Sequence, residues 1–158
     1  MSEAAEVTFR EATAADVPDL LRMMKRLALQ APALPFDERV VTQTWRQFFS
    51  SAEFGRAWLF SAGSELAGYV ILTLGYSFEY RGREAFVDEL YVEEKFRRRG
   101  VGRRAMEFVE ERARELGVNA IHLEVDRVND AASGLYRRAG YVDHDRYLMT
   151  KWLRQTEL

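Results

Sequence analysis

VDELYVEEKFRRRGVGRRA, residues Val87–Ala105, holds two adjacent acids, a short apolar pattern, three consecutive arginines and a Gly-x-Gly turn at the head of a helical pattern. Arg97, Arg98, Arg99, Arg103 and Arg104 crowd around Gly100 and Gly102 in a chain whose formal net charge is only -2. The turn stands where a strand and a short loop feed a long helix. The first N–H groups of a helix lack partners, and the positive end of its dipole lies there. Glycine admits close backbone approach, and arginine adds fork-shaped donors. Together these suit an anion, phosphate above all. Three readings compete: a solvated basic turn that uses glycine for geometry, a dinucleotide fingerprint, and a pyrophosphate loop led by an arginine. Gly100–Ala105, GVGRRA, does match G-x-G-x-x-A, and Glu124 stands near the distance of a ribose contact. That fingerprint needs its turn almost directly after a strand, near the start of a βαβαβ array. Here the eight residues VEEKFRRR separate Leu90–Tyr91 from Gly100, and few strands remain downstream. The bland turn and the loop Arg97-x-x-Gly100-x-Gly102 are left.

On both sides of this stretch the hydrophobic period switches between helix and strand. Val7–Arg10, VTFR, is a strand candidate. A helix is expected from about Ala14 to Leu29, capped by Thr13 with Asp16 three positions on. Its apolar residues Val17, Leu20, Leu21, Met24, Leu27 and Ala28 recur with helical period. QAPALPFD, residues 30–37, breaks it with two prolines. A second helix, about Glu38 to Phe49, carries Val41, Trp45, Phe48 and Phe49 on roughly one side. AWLFSA, LAGYVILTLGYSF and AFVDELYV then read as an antiparallel meander, turning at Gly63 and at YRGRE. A strong helix from Val101 to Leu116 follows the glycine turn and stops at Gly117. AIHLEV alternates as a strand does, and a short helix starts near Asn129 or Asp130 and ends before Gly140. YVDHDRYLMTKWL, residues 141–153, is expected to close the chain as one or two strands. The order β-α-α-β-β-β-α-β-α-β-β describes an α/β protein: a central mixed, mostly antiparallel sheet flanked by about four helices, one domain over residues 1–158.

Bulk properties exclude several classes. At 158 residues, with 47% hydrophobic and 30% charged residues, the chain reads as soluble and globular. No apolar run approaches the roughly 18 residues of a membrane span. The start, MSEAAEVTFREAT, is acidic and lacks the apolar core of a signal peptide, so the cytoplasm is the expected compartment. Cysteine is absent, which excludes disulfides, thiolate metal sites and a cysteine nucleophile. Near-neutral net charge argues against general nucleic-acid coating. His122 and His144 have no third ligand at metal spacing, so no metal is expected, and neither reads as a base.

A second motif completes the pattern. Arg97-x-x-Gly100-x-Gly102 after VDELYVEEKF resembles the acetyl-CoA loop of the GNAT superfamily of N-acetyltransferases. NDAASGLYRRAGY resembles that family's downstream motif, as Asn129-x-x-Ala132-x-x-Leu135-Tyr136-x-x-x-Gly140-Tyr141. The resemblance runs from about Thr8 to Trp152, and the element order is also the family's. It implies acetyl-CoA as cosubstrate, with backbone N–H groups from Arg98, Arg99, Gly100, Val101, Gly102 and Arg103 on the pyrophosphate. Arg97 and Arg98 would add side-chain charge. Leu90, Tyr91 and Val92 would pair with the pantetheine arm as an extra strand does, splayed from AIHLEV by a bulge. One of their N–H groups would face the thioester oxygen. Asn129 would hold the cofactor arm or cap its helix. Ala132 and Tyr136 would also lie at the cofactor. Tyr136, a phenol near pKa 10, suits a departing thiolate as its acid.

The base is harder to assign. Asp88 and Glu89 are adjacent acids on an otherwise apolar strand, and acids there cost free energy unless satisfied. In a regular strand successive residues face opposite ways, so at most one of the two faces the site, and a bulge would change which. The surrounding sequence resembles the diamine (spermidine/spermine) acetyltransferase branch, where a carboxylate at the position of Asp88 serves the amine. Asp88 is therefore the first candidate and Glu89 the second. Asp37, Glu38, Glu53 and Glu79 add acids near the expected acceptor pocket, which favours a small cationic amine. An amino acid, an aminoglycoside, or a protein N-terminus or lysine remains open as acceptor, and so does a homodimer. Two other classes compete. One is a non-catalytic acyl-CoA-binding regulatory module. The other is a nucleic-acid module using the arginines, against which the neighbouring acids of VEEK and EFVEER argue. No nucleic acid or membrane partner is expected.

Overall fold

The computed structural model describes residues 6–30 and 35–153. Five strands form one sheet in chain order: β1 (Val7–Glu11), β2 (Gly55–Ala62), β3 (Glu65–Ser77), β4 (Gly82–Val92) and β5 (Ala120–His122). Neighbours from β1 to β4 are antiparallel; short turns join β2 to β3 and β3 to β4, whereas α1 and α2 lie between β1 and β2. β5 runs parallel to β4, because α3 (Val101–Glu115) carries the chain back along the sheet between them. The other helices are α1 (Val17–Gln30), α2 (Glu38–Phe48) and α4 (Asp130–Arg138). A 3-10 turn over Ala14–Asp16 leads into α1.

Strand alternation divides the core in two. Trp58, Phe60, Val70, Leu72, Ala85 and Val87 pack with Met106 and Val109 of α3. Ala57, Leu59, Tyr69, Ile71 and Tyr91 pack on the other face with Leu20 and Met23 of α1 and Trp45 of α2. Trp45 is core rather than pocket, stacked on Phe49 at 5.2 Å, whereas Phe54 is exposed. Local caps follow the sequence. Thr13 N–H donates to Asp16 Oδ2 at 2.8 Å, and Arg10 grips the same carboxylate at 2.6 and 2.9 Å. Those donors hold the Asp16 pKa down at about 2.

One irregularity sets the geometry of the site. In the β3–β4 register Leu72 faces Val87 and Ile71 faces Glu89, so Asp88 is an extra residue, a bulge. Before it, Ala85 and Val87 face α3. After it, Leu90 and Val92 face α3, and Tyr91 faces α1 and α2.

The end of the chain departs from expectation. AIHLEV pairs over only three residues, and residues 141–153 form no strand. Val142, Tyr147, Leu148, Met149 and Leu153 stand exposed. An alternating pattern becomes a strand only against a partner edge, and the β4–β5 pairing ends at Phe86–His122. The proline break falls partly on residues 31–34, outside the described residues.

Close backbone packing makes a test of the frame. A Cβ on Gly68 would lie 2.0 Å from Tyr91 O and 2.5 Å from Phe60 Cζ. Gly68→Ala is expected to destabilise the fold by roughly 3 kcal/mol through overpacking. Gly63 has φ 62° and open space around it, so Gly63→Ala is expected to cost only about 1 kcal/mol. Urea unfolding of both variants measures the contrast.

Candidate active site

On the side away from β3, the bulged half of β4 has no strand beside it among the described residues. β5 pairs with Glu84–Phe86 alone, and beyond His122 the chain leaves the sheet. From Val87 to Val92 the outer edge of β4 therefore offers backbone groups to an extended ligand, as a sheet edge does. Leu90, Tyr91 and Val92 lie on this edge as expected.

The edge leads into the glycine turn. After a 3-10 turn over Glu94–Phe96, Arg98 adopts φ 58° and Gly100 φ 78°. A left-handed arginine is strained by about 1 kcal/mol, and Gly100 carries the same conformation without a Cβ. The first backbone bond of α3 is Arg104 N–H to Gly100 O at 3.1 Å. The N–H groups of Val101, Gly102 and Arg103 thus lie outside the helical ladder. A Cβ on Gly102 would meet only Leu135 Cδ2 at 3.6 Å and Val92 Cγ2 at 3.9 Å, ordinary contacts. Charge supports the anion reading. α1, α2 and α4 each carry an acid in the first turn, and α3 carries none. Arg98, Arg99 and Arg103 are exposed at this point. Arg97 is used differently from the expectation that it lends charge to phosphate. Its Nε donates to Val92 O at 2.8 Å, its second terminal nitrogen to Gln30 at 2.8 Å, and its guanidinium lies 5.7 Å from the Tyr91 ring. It braces the loop against β4 and α1.

The bulge separates the two acids. Asp88 reaches solvent and makes no salt bridge or hydrogen bond with the described residues, while partial desolvation raises its pKa. Glu89 turns toward α1 and α2, where it accepts from the Tyr69 hydroxyl at 2.6 Å. Burial raises its pKa, Tyr69 opposes that, and the Asp88 charge adds to it. Tyr69 was not legible as a site residue; its strand pattern marks it only as core. Most other acids expected near the acceptor have structural work. Asp37 caps α2 through Arg39 N and Val40 N, Glu53 pairs with Arg83 at 3.3 Å, and Glu79 pairs with Arg146 at 2.9 Å.

Tyr136 sits on α4, half-buried, one residue after the Leu135 that approaches Gly102 and Val92. Burial raises its pKa, which keeps the phenol protonated. No described group hydrogen-bonds its hydroxyl. Asn129 is the helix cap, accepting from Ala132 N at 3.1 Å. Ala132 thus contributes through its N–H, which Asn129 already engages. His122 is held by Glu84 at 3.1 Å between Tyr80 and Phe86, a structural arrangement. His144 lies in the exposed closing segment. The described residues contain no cluster able to hold a metal and no helix long and apolar enough to cross a membrane. A cavity of about 1050 Å³ beyond β5 is bordered by Tyr136, His122, Tyr141 and Arg146, but by neither Asp88 nor the glycine turn.

A free strand edge thus runs into a helix start with unpaired N–H groups, with the exposed Asp88 at the bulge and the half-buried Tyr136 phenol on α4. A family model described as Acetyltransferase (GNAT) family matches residues 21–141. The chain belongs to this family, whose members use acetyl-CoA, and its class is N-acetyltransferase. The thialysine N-epsilon-acetyltransferase of Bos taurus is 29% identical over 147 residues, covering 88% of this chain and 86% of that one. The D-amino-acid N-acetyltransferase HPA3 of Saccharomyces cerevisiae is 43% identical over 56 residues, so the match spans about a third (35%) of each chain. An integron cassette protein from the mobile metagenome of Cole Harbour Salt Marsh has a TM-score of 0.82 at 32% identity, covering 94% of this chain and 91% of its own. A structure from Clostridium acetobutylicum, solved with acetyl-CoA and titled "predicted acetyltransferase", shares the fold at TM-score 0.77 and 16% identity, covering 92% and 96%.

The helix start gives a direct test. An acid at Gly102 would stabilise the first turn of α3 while repelling phosphate. Gly102→Asp is therefore expected to fold normally and to bind coenzyme A at least about tenfold more weakly, by calorimetry. Unchanged affinity in the folded variant would remove the helix start from the phosphate site.

Proposed function

We propose that the protein transfers the acetyl group of acetyl-CoA to the primary amine of a small cationic molecule by direct attack. The observation that carries this is the bulge at Asp88, which places an unpaired carboxylate where the free edge of β4 begins. Backbone N–H groups of Arg98, Arg99, Gly100, Val101, Gly102 and Arg103 hold the pyrophosphate. The β4 edge at Leu90–Val92 aligns the pantetheine arm, and an N–H there donates to the thioester oxygen as negative charge develops. Asp88 accepts a proton from the bound ammonium, directly or through water, to free the amine lone pair, and Glu89 supplies the second negative charge beside it. The amine nitrogen attacks the thioester carbon, the C–S bond breaks as Tyr136 gives its proton to the departing sulfur, and the second proton shed by nitrogen restores the Tyr136 phenol.

Support for a small cationic acceptor comes from Asp88 and Glu89, neither of which caps a helix or pairs with a cation among the described residues. The bovine relative is named for acetylating the ε-amine of thialysine, and the yeast relative for acetylating D-amino acids; both acceptors are small amines. A purely regulatory acyl-CoA-binding module would have no use for a protonated phenol and an unpaired carboxylate on either side of the slot.

A thiol-release assay with acetyl-CoA and a panel of amines tests the reading. Turnover with small cationic amines is expected. Silence across the panel with normal acetyl-CoA binding would replace it with the regulatory one. Tyr136→Phe is expected to lower kcat at least tenfold, and Asp88→Asn about a hundredfold, with acetyl-CoA affinity retained. Unchanged turnover in either variant removes that residue from the mechanism.

A further inference from the structure

We propose that Tyr69 is a positioning residue for the acceptor amine: its hydroxyl fixes Glu89 Oε2, so that Glu89 Oε1 is held for the ammonium beside Asp88. The proposal rests on the reading of Asp88 and Glu89 as the acids that receive the amine.

The argument starts from register. Tyr69 lies opposite Tyr91, and Ile71 lies opposite Glu89. Tyr69 and Glu89 are thus diagonal neighbours on one face, a spacing that long side chains bridge. Without the extra residue, Val87 opposite Leu72 would put Asp88 opposite Ile71 and Glu89 opposite Val70. Val70 faces α3, and successive residues alternate, so Glu89 would turn away from Tyr69. The bulge that exposes Asp88 therefore also delivers Glu89 to Tyr69.

Tyr69 is fixed on its own account. It is fully buried and stacked on Tyr91 with ring centroids 5.8 Å apart. Its pKa is driven far above the ordinary phenol range by burial, with the Glu89 charge second, so it stays a donor. Glu89 is only half-buried, and no described group donates to its Oε1. One oxygen is locked and the other is available at the edge of solvent. The groups that face Glu89 are few. Tyr69 comes from β3 and Asp88 from β4. Tyr91 spends its hydroxyl on Glu93 at 3.1 Å, and Glu93 also holds Arg26 at 2.6 Å and Arg22 at 3.6 Å, so these two α1 cations are already paired, while the third, Lys25, is exposed and forms no ion pair with Glu89. α2 presents Trp45, Phe48 and Phe49, which are apolar. No described cation competes for Glu89.

The sign of the pH effect follows. Burial raises the Glu89 pKa and the Tyr69 bond pulls it back. Removing that bond lifts it further, and an ammonium is bound only by the ionised carboxylate. The acid limb of amine binding should move to higher pH.

The test uses the full chain and thialysine as probe. In carboxyl ¹³C NMR, the Glu89 signal, identified by its loss in Glu89→Gln, is expected to titrate at higher pH in Tyr69→Phe than in the wild type. The thialysine KM of Tyr69→Phe should rise about fivefold, the scale of one hydrogen bond, with kcat and acetyl-CoA affinity little changed. Glu89→Gln keeps an acceptor for Tyr69 but removes the charge, so it should also bind thialysine more weakly in calorimetry. In that background Tyr69→Phe should have no further effect on thialysine binding. A folded Tyr69→Phe with an unmoved Glu89 titration and unchanged KM overturns the proposal. So does a wild type that binds thialysine no more tightly than Glu89→Gln, a comparison that stands even if Tyr69→Phe fails to fold. If Asp88→Asn keeps its rate while Tyr69→Phe still shifts Glu89 and KM, the base assignment falls and this one stands.

Discussion

β4 is hydrogen-bonded on both sides for only part of its length. Its pairing with β5 ends at Phe86–His122, and two residues later Asp88 interrupts its pairing with β3. A strand edge inside a protein is normally covered. Here it is left free along Val87–Val92, and it runs straight into the glycine turn that opens α3. In the proposed reading the free edge receives the extended acyl carrier, the turn its phosphates, and the bulge decides which acids stand at the acyl end. All three proposed roles depend on where β4 loses its neighbour on one side.

Charge is sorted by the same geometry. The sequence carries 25 acids and 23 lysines and arginines, and most of those described near the site neutralise one another or cap helices. Arg10 with Asp16, Arg26 with Glu93 and Arg146 with Glu79 hold elements together. What distinguishes the site is what remains unpaired. α3 begins without an acid and with exposed arginines, a local excess of positive charge that a near-neutral chain otherwise avoids. Asp88 is left without a cation. An anion at one end of the slot and a cation at the other would each complete a balance that the protein leaves open.

The parts legible in the sequence are those set by local rules. The α3 start, its glycines and the Gly117 stop follow from capping and dihedral preference, and the first acetyltransferase motif falls on that helix start while the second falls on the Asn129-capped α4. Tyr136 was legible because its motif is contiguous on one short helix. The facing of Asp88 and Glu89 was not, because it depends on a one-residue slip between two strands. Alternation alone cannot say which strand carries the extra residue. The bracing contacts of Arg97 were not legible for a related reason: Val92 O and Gln30 come together only when α1 packs beside the end of β4. Tyr69 was hidden because a buried tyrosine reads as core until its hydroxyl is seen to have an acid as partner.

The closing segment shows the other side of the same constraint. AIHLEV has the alternation of a six-residue strand, yet it leaves the sheet after His122. His122 is anchored there by Glu84 and by the rings of Tyr80 and Phe86. Had Leu123–Val125 continued alongside β4 in the same register, they would have paired with Val87–Glu89 and covered the first half of the free edge. The departure that opens the slot also shortens β5, and with it the edge against which residues 141–153 would otherwise form a strand. Residues 141–153 accordingly meet only a three-residue β5, and Val142, Tyr147, Leu148, Met149 and Leu153 stand exposed.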